Sequence, residues 1–266
     1  MASPIPNPLP PRALIGMVHL PALPGSPDGG RPMADVIAAA CADARRLADA
    51  GFDALLIENY GDAPFRPGRA DPHTVACMTL AARAVRETVP RLPLGVNVLR
   101  NDPLAAVAVA HTVGAAFVRV NVHCGVYATD QGLIEGRADE TLRYRRLLGA
   151  KVLIFADVHV KHSRPLSSPD IASAAEETAY RGRADALIVS GPGTGKPTDP
   201  ADVRAVRTAV PDRPIYVGSG TGPDNVREVL AVADGAIVGT ALKAGHRTEA
   251  PVDPALAAAL VLAARS

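Results

Sequence analysis

The sequence contains no tryptophan, and aromatic residues account for only 3% of its 266 positions. Stacking of bases or sugar rings on aromatic side chains is therefore not expected to dominate ligand recognition. The formal net charge is only +1, which gives no electrostatic reason to predict a nucleic-acid partner or an anionic membrane surface. No segment approaches the run of ~20 apolar residues needed to cross a bilayer, so we predict no transmembrane segment.

Cysteine is scarce as well. Cys41, Cys77 and Cys124 lie far apart and form no CxxC pair, which is typical of a reducing compartment, and we predict a cytoplasmic location. Hydrophobic residues make up 48% of the chain, which is enough for a sizeable core. The proline-rich residues 1–11 lack the apolar core of a signal peptide. We expect them to form a flexible arm, and residues 12–266 to form a single domain.

Short runs rich in Val, Ile and Leu alternate with alanine-rich stretches of helical period, which is the pattern of parallel strands joined by crossover helices. The predicted strands are Ala13–His19, Ala54–Asn59, Leu94–Leu99, Phe117–Val122, Val152–Val158, Ala186–Ser190, Ile215–Gly218 and Ala236–Gly239. The predicted helices are Ala34–Ala50, His73–Val89, Pro103–Val113, Asp139–Leu148, Asp170–Arg181, Pro200–Ala209, Pro223–Ala231 and Pro254–Ala263. This succession predicts an α/β fold, a single (β/α)8 TIM barrel of the phosphate-binding type.

Several predicted helices begin with the same device, a capping Asp or Ser followed by proline. These pairs are Asp71-Pro72, Asp102-Pro103, Ser168-Pro169, Asp199-Pro200 and Asp253-Pro254. The side-chain oxygen accepts a hydrogen bond from a free N–H, and proline suits the first helical turn. A doubly wound open sheet is the alternative, but its first strand normally leads into a glycine fingerprint. Here the first strand ends in His19-Leu20-Pro21, which favours the barrel.

The last two predicted strands both stop at glycine and a hydroxyl residue. In barrels of this type the loops after strands 7 and 8 commonly bind phosphate, because glycine lets peptide N–H groups approach an anion and a helix end adds positive charge. We therefore predict that a phosphorylated small molecule binds to Gly218, Ser219, Gly220, Gly239 and Thr240. The glycine-rich residues 191–196 are expected to close over the mouth and bring Thr194 to the anion.

Polar side chains occupy the inward-facing phase of several predicted strands near their carboxyl ends, where barrel enzymes carry out chemistry. The predicted catalytic residues, which exchange protons, are Asp157, His159, Lys161 and Glu58. The predicted substrate-binding residues are His19, Asn97, Asn121, His123 and Thr194.

Structural roles compete with these assignments. A single histidine such as His19 is more often a hydrogen-bonded structural group than a catalyst. Asp157 and Lys161 can instead form a structural ion pair. Arg119 lies deeper in the predicted barrel, and we expect it to pair with Glu58 or Asp157.

Seven segments carry a resemblance to a known family. They are residues 15–21 (IGMVHLP), 58–65 (ENYGDAPF), 95–102 (GVNVLRND), 119–122 (RVNV), 129–132 (TDQG), 155–162 (FADVHVKH) and 217–220 (VGSG). In these motifs the chain resembles the BtpA/SgcQ family over nearly its whole length past the proline-rich arm. The resemblance implies a TIM-type barrel. The family is named for photosystem I biogenesis in cyanobacteria, and other members accompany sugar-metabolism proteins. The segment Cys124-Gly125-Val126-Tyr127 departs from the family pattern that we expect.

These observations predict an enzyme that acts on a phosphorylated sugar or nucleoside-like substrate by isomerisation, bond cleavage or glycosyl transfer, through general acid–base chemistry. A Schiff base at Lys161 is a variant that requires burial to lower the pKa of the amine. A metal-dependent epimerase or hydrolase is an alternative, with a divalent metal held by His19, Glu58, Asp157 and His159. A non-enzymatic assembly or ligand-binding factor is another, since barrels host many functions. We also expect the chain to form a homo-oligomer.

Overall fold

The computed structural model describes residues 5–168 and 170–266. Its strands are β1 (Ala13–His19), β2 (Ala54–Glu58), β3 (Leu94–Asn97), β4 (Phe117–Val120), β5 (Val126–Thr129), β6 (Gly132–Glu135), β7 (Leu153–Val158), β8 (Ser163–Pro165), β9 (Ala186–Val189), β10 (Ile215–Val217) and β11 (Gly235–Val238). Its α-helices are α1 (Met33–Ala50), α2 (Pro72–Thr88), α3 (Pro103–Val113), α4 (Ala138–Leu147), α5 (Ile171–Glu176), α6 (Pro200–Ala209), α7 (Val226–Val232) and α8 (Pro254–Arg265).

Eight parallel strands close into a barrel in the order β1-β11-β10-β9-β7-β4-β3-β2. Closure comes from β1, which pairs in parallel with β2 on one side and with β11 on the other. The predicted TIM-barrel fold is thus confirmed. Among the described residues, no helix is both long enough and apolar enough to cross a membrane.

The barrel strands pack against side chains on both of their faces, outside and inside the barrel. Outside, apolar residues of alternate phase pack against the helices, as Leu55 and Val96 do. Inside, an aromatic stack fills the lower half: Phe117 lies 4.6 Å from Phe155, and Phe155 lies 4.9 Å from Tyr216, between ring centroids. The carboxyl half of the interior is left to polar side chains.

The amino-terminal segment contacts the closed lower end of the barrel. Leu9 is buried with the interior cluster, and Ile5 packs partly against it. Asn7 Nδ2 donates a hydrogen bond of 3.0 Å to the Tyr216 hydroxyl. Residues 1–4 lie outside the described residues, and the flexibility of the arm stays a prediction.

Three strands that the sequence pattern did not predict form a separate antiparallel sheet in the order β6-β5-β8. Each is only three or four residues long, too short for a recognisable period. Tyr127 and Ile134 of this sheet pack with Val122 and Val160, which follow the barrel strands β4 and β7. The sheet therefore lies beside the carboxyl ends of the barrel strands.

The helix starts differ from prediction in three places. Asp71 makes no capping hydrogen bond and pairs with Arg66 instead. Asp170 rather than Ser168 caps α5, and Pro169 lies outside the described residues. The helix after β10 begins at Val226 rather than Pro223, because the Asn225 side chain holds the preceding loop in a turn by bonding to Gly222 N and Gly220 O.

The other predicted caps are formed. Asp102, Asp199 and Asp253 each accept a hydrogen bond from a backbone N–H in the first turn of α3, α6 and α8. These bonds fix where the helices begin, and hence the paths of the loops that lead to them.

Candidate active site

A buried ion pair forms the base of the polar half of the barrel. Arg119 on β4 holds Asp157 on β7 in a two-point arrangement, with Nε to Oδ2 at 3.0 Å and Nη2 to Oδ1 at 2.9 Å. Asn121 Nδ2 donates a third hydrogen bond, of 2.9 Å, to Oδ2. The predicted pairing of Arg119 with an acidic residue is present, and Asp157 is its partner. Two-point geometry and saturation of the carboxylate make this a rigid platform.

Beside the platform, Glu58 at the end of β2 is held by its neighbours. Asn97 Nδ2 donates to Glu58 Oε2 at 2.6 Å, and His19 Nε2 lies 3.9 Å from Oε1. Burial lowers the pKa of His19 well below its ordinary value, and the positive charges of Lys243, Lys161 and Arg119 lower it further. The imidazole is therefore neutral at pH 7 and can donate or accept a proton.

A cavity of about 250 Å³ opens above these groups at the carboxyl ends of the strands. Its charged and titratable lining consists of His19, Glu58, Arg119, Lys161 and His246. Most of the remaining lining comes from the segments after β10 and β11 and the tip of the glycine-rich loop: Gly218, Ser219, Gly220, Thr221, Gly222, Gly239, Thr240, Ala241, Thr194 and Gly195. The predicted phosphate residues and two of the four predicted catalytic residues, Glu58 and Lys161, thus line one cavity.

Two of the cavity glycines are required for space. A Cβ on Gly218 would stand 2.5 Å from Ser190 Oγ and 3.4 Å from Arg119 Nη2. A Cβ on Gly239 would stand 2.9 Å from His19 Cε1. These glycines let the guanidinium and the imidazole lie directly beneath the loops.

Peptide N–H groups in the segments after β10 and β11 are available to a ligand. In the part of the chain that the structure describes, the N–H groups of Gly220, Thr221, Thr240 and Ala241 donate no hydrogen bond. The Thr221 hydroxyl is buried and likewise lacks a partner among the described residues. Sequence reasoning missed Thr221, Gly222 and Ala241, although each directly continues a predicted glycine–hydroxyl run.

The Ser219 hydroxyl, which was predicted to bind phosphate, is engaged in hydrogen bonds within the protein. It donates to Lys196 O at 3.1 Å and accepts the Gly191 N–H at 2.9 Å. It therefore ties the glycine-rich loop, residues 191–196, to the end of β10. A Cβ on Gly220 would stand 2.3 Å from Pro197 Cα, so the chain just after this loop packs directly on that glycine.

The tip of the glycine-rich loop is held by His162. Its Nε2 accepts the Thr194 N–H at 3.1 Å and lies 3.0 Å from the Thr194 hydroxyl. This contact brings Thr194 to the cavity wall, where the sequence predicted it.

Lys161 reaches the cavity from the segment after β7. Its carbonyl oxygen accepts a hydrogen bond of 2.6 Å from Arg100 Nη2, which fixes the backbone there. Burial, together with the positive charges of Arg119 and Arg100, lowers the pKa of the Lys161 amine to about 8.

Five predicted site residues do not line the cavity: Asn97, Asn121, His123, Asp157 and His159. Asn97, Asn121 and Asp157 instead bond to side chains beside it, as described above. His159 has φ of +54°, which breaks the strand alternation after Val158, and its Nε2 contacts Ser168 O at 3.0 Å. The regular alternation that grouped His159 with Asp157 and Lys161 therefore does not extend past β7. His123 Nε2 contacts Gly182 O at 2.9 Å, beside a second cavity of about 640 Å³ on the flank of the barrel.

The side chains proposed as metal ligands do not converge. Asp157 is saturated by Arg119 and Asn121, and His159 faces away from the cavity. Across residues 5–168 and 170–266, no group of three or more His, Cys, Asp or Glu side chains is arranged to hold a metal ion.

Comparison with known proteins places the chain in a family. The BtpA family model matches residues 11–266. The chain belongs to the BtpA family. This BtpA-family chain is 44% identical to the Photosystem I biogenesis protein BtpA of Synechocystis sp. over 248 residues, which cover 93% of this chain and 86% of the relative. It is 46% identical to an uncharacterised protein of Methanocaldococcus jannaschii over 242 residues, covering 91% of each. The predicted family is confirmed.

Solved structures share the fold of this BtpA-family chain. Phosphoribosyl anthranilate isomerase from Thermus thermophilus matches with a TM-score of 0.58 and 14% identity, covering 94% of this chain and 97% of that one. Phosphoribosyl anthranilate isomerase in complex with reduced 1-(O-carboxyphenylamino)-1-deoxyribulose 5-phosphate matches with a TM-score of 0.57 and 12% identity, covering 96% and 98%. At these identities the likeness shows the fold alone.

Proposed function

We propose that the chain is an enzyme that acts on a phosphorylated sugar or a nucleoside-like phosphate at the carboxyl face of its barrel. One observation carries the proposal. A single cavity is lined both by glycine-rich loops and by Lys161, Glu58 and His19. An anion site beside titratable groups is the arrangement that barrel enzymes use to hold a phosphate while they transfer protons nearby.

The phosphate is bound by main-chain N–H groups, two of which begin the short 3-10 helix Thr240–Leu242. The unused N–H groups of Gly220, Thr221, Thr240 and Ala241 supply donors, and Arg119 and Lys161 supply positive charge. The likeness to a barrel in complex with a 5-phosphate supports this assignment as an analogy of fold.

Proton transfer is assigned to Glu58 and His19, whose side chains contact each other at the cavity wall. A neutral imidazole and a carboxylate suit isomerisation, cleavage next to a carbonyl, or glycosyl transfer, and each such group typically contributes ~10²–10⁴-fold in rate. Asp157 is assigned a positioning role, because it holds Arg119 and Asn121. His159 takes no proton-transfer role in this proposal.

The alternative is an assembly factor, which the name of the Synechocystis relative, a photosystem I biogenesis protein, favours. Under that alternative the outer surface carries the function. Glu58→Gln would then leave the function of the protein in cells intact. The enzyme proposal instead requires that this substitution abolish that function. A cytoplasmic location and self-association also stay predictions.

Calorimetric titration of the full chain with inorganic phosphate and ribose 5-phosphate tests the proposal. We expect both to bind and to compete. Gly239→Ala should weaken binding about tenfold or more, because the added methyl group displaces His19 and narrows the cavity. Gly68→Ala is the matched control, since a Cβ there meets nothing within 4 Å, and it should retain the wild-type affinity. Failure of both anions to bind at millimolar concentration would contradict the proposal.

A further inference from the structure

Lysine is rare in this chain, and its lysines lie in contrasting environments. Of 28 basic residues only four are lysines: Lys151, Lys161, Lys196 and Lys243. Lys151 and Lys196 are exposed. Lys243 is buried, with its Nζ 2.8 Å from Asp43 Oδ2. Lys161 is half-buried and lines the cavity.

Unlike Arg119 and Lys243, Lys161 has no ion pair. Arg119 is paired with Asp157, and Lys243 is paired with Asp43. In the described part of the chain, no carboxylate oxygen lies within salt-bridge distance of Lys161 Nζ. An amine that is partly removed from water and has no ion pair loses its proton more readily than an exposed one. The pKa of about 8 agrees with this geometry and leaves about a tenth of the amine unprotonated at pH 7.

Resting on the function proposed above, we propose that Lys161 Nζ is a covalent nucleophile that forms an imine with the carbonyl carbon of a small open-chain aldose or ketose phosphate. The substrate phosphate accepts hydrogen bonds from the unused N–H groups after β10 and β11, and the carbonyl faces the amine. The cavity of about 250 Å³ restricts the substrate to a small molecule.

The step is balanced without any other reagent. The lone pair of Nζ attacks the carbonyl carbon, the C=O π pair moves to oxygen, and that oxygen takes up a proton to give a carbinolamine. A second protonation lets this oxygen depart as water, while the nitrogen lone pair forms the C=N bond and Nζ loses its remaining protons to the cavity groups. Glu58 lines the same cavity and can carry these protons, so the net change is amine plus carbonyl to imine plus water.

Borohydride trapping tests the proposal, because hydride reduces an imine to a stable secondary amine. The full chain is incubated with D-glyceraldehyde 3-phosphate and, separately, with D-glyceraldehyde, then reduced and mapped by mass spectrometry. We expect modification at Lys161, faster by about tenfold or more with the phosphorylated aldehyde because the anion site raises its local concentration. Labelling should accelerate as pH rises and level off above the pKa of about 8.

Lys161→Arg keeps the positive charge but cannot form the imine, so the adduct at position 161 must vanish. The control substitutions Lys151→Arg and Lys196→Arg must leave the labelling of Lys161 unchanged. Modification confined to the exposed lysines, with phosphate still binding by calorimetry, would overturn the imine and leave the proposed function standing. Equal labelling of Lys161 by both aldehydes, without phosphate binding, would support the nucleophile and overturn the phosphate enzyme.

Discussion

At the residue scale, the two best-held charged groups of the site each have a dedicated neighbour. Arg119 is held by Asp157, and Glu58 is held by Asn97. The barrel interior below is apolar and aromatic. Removing one partner from such a buried pair leaves an uncompensated charge, which costs more than the pair itself contributes.

Asp157→Asn should therefore lower the free energy of unfolding by about 3–5 kcal/mol, because the Arg119 guanidinium stays buried without its counter-charge. Urea denaturation followed by circular dichroism measures this loss. The matched control is Asp139→Asn, which breaks the exposed ion pair with Arg143 and should change stability by no more than about 1 kcal/mol. Equal effects of the two substitutions would contradict a buried, two-point ion pair.

At the element scale, the segment after β7 and the glycine-rich loop form one unit. His162 has φ of +57°, and its backbone N–H donates to Pro192 O while its Nε2 accepts the Thr194 N–H. A ring nitrogen that accepts an N–H cannot carry a proton, so the closed loop requires neutral His162. Partial burial and the nearby charges of Arg100 and Lys161 lower the pKa of His162, which favours the neutral form.

This contact predicts that the loop opens in acid. The pKa of His162 in the closed loop lies below the ordinary value of 6.5, so the open state binds the proton more tightly. Closure is therefore complete above about pH 6.5 and is lost as the pH falls below it. Hydrogen exchange of residues 191–196, corrected for intrinsic rates, should increase between about pH 7.5 and about pH 5.5.

His162→Gln supplies an acceptor that does not titrate, so its loop exchange should lose this pH dependence. His111→Gln, a substitution on the exposed side of α3, should respond to acid as the wild type does. Wild-type pH dependence that persists in His162→Gln would assign the opening to a group other than His162.

At the scale of the whole molecule, the two ends of the barrel perform different tasks. The lower end is closed by the aromatic stack and by Leu9, which comes from outside the strand pattern. The upper end is open and polar, and the ring is completed only when β1 pairs with β11, more than 200 residues later in the chain. Packing at the closed lower end therefore stabilises the barrel whose upper end carries the cavity.

Leu9→Ala should lower the free energy of unfolding by about 2–5 kcal/mol, because it leaves a cavity against the barrel interior. Thermal and urea unfolding measure the change. Leu133→Ala is the matched control, since 62% of that side chain is exposed, and its effect should stay within about 0.5 kcal/mol. A neutral Leu9→Ala would mean that the segment before β1 does not dock in solution.

The strand and helix succession was readable from the sequence because a buried parallel strand is a continuous apolar run and a crossover helix has its own period. The predicted strands Ala54–Asn59, Leu94–Leu99 and Phe117–Val122 end one or two residues earlier in the structure. The glycines at positions 218 and 239 predicted where the cavity lies, because the backbone can approach a ligand or a side chain closely only where the residue has no side chain of its own. The seven sequence motifs were enough to predict the BtpA family.

By itself, the sequence determined the barrel, its order of elements and the face on which polar groups gather, since these depend on local periods and on the regular alternation of strands. The tertiary structure decided what those groups do. It paired Asp157 with Arg119, engaged the Ser219 hydroxyl in a loop contact, turned His159 away, and left Lys161 unpaired in the cavity. Those outcomes depend on distances between segments that are remote in the chain, and no local pattern encodes such distances.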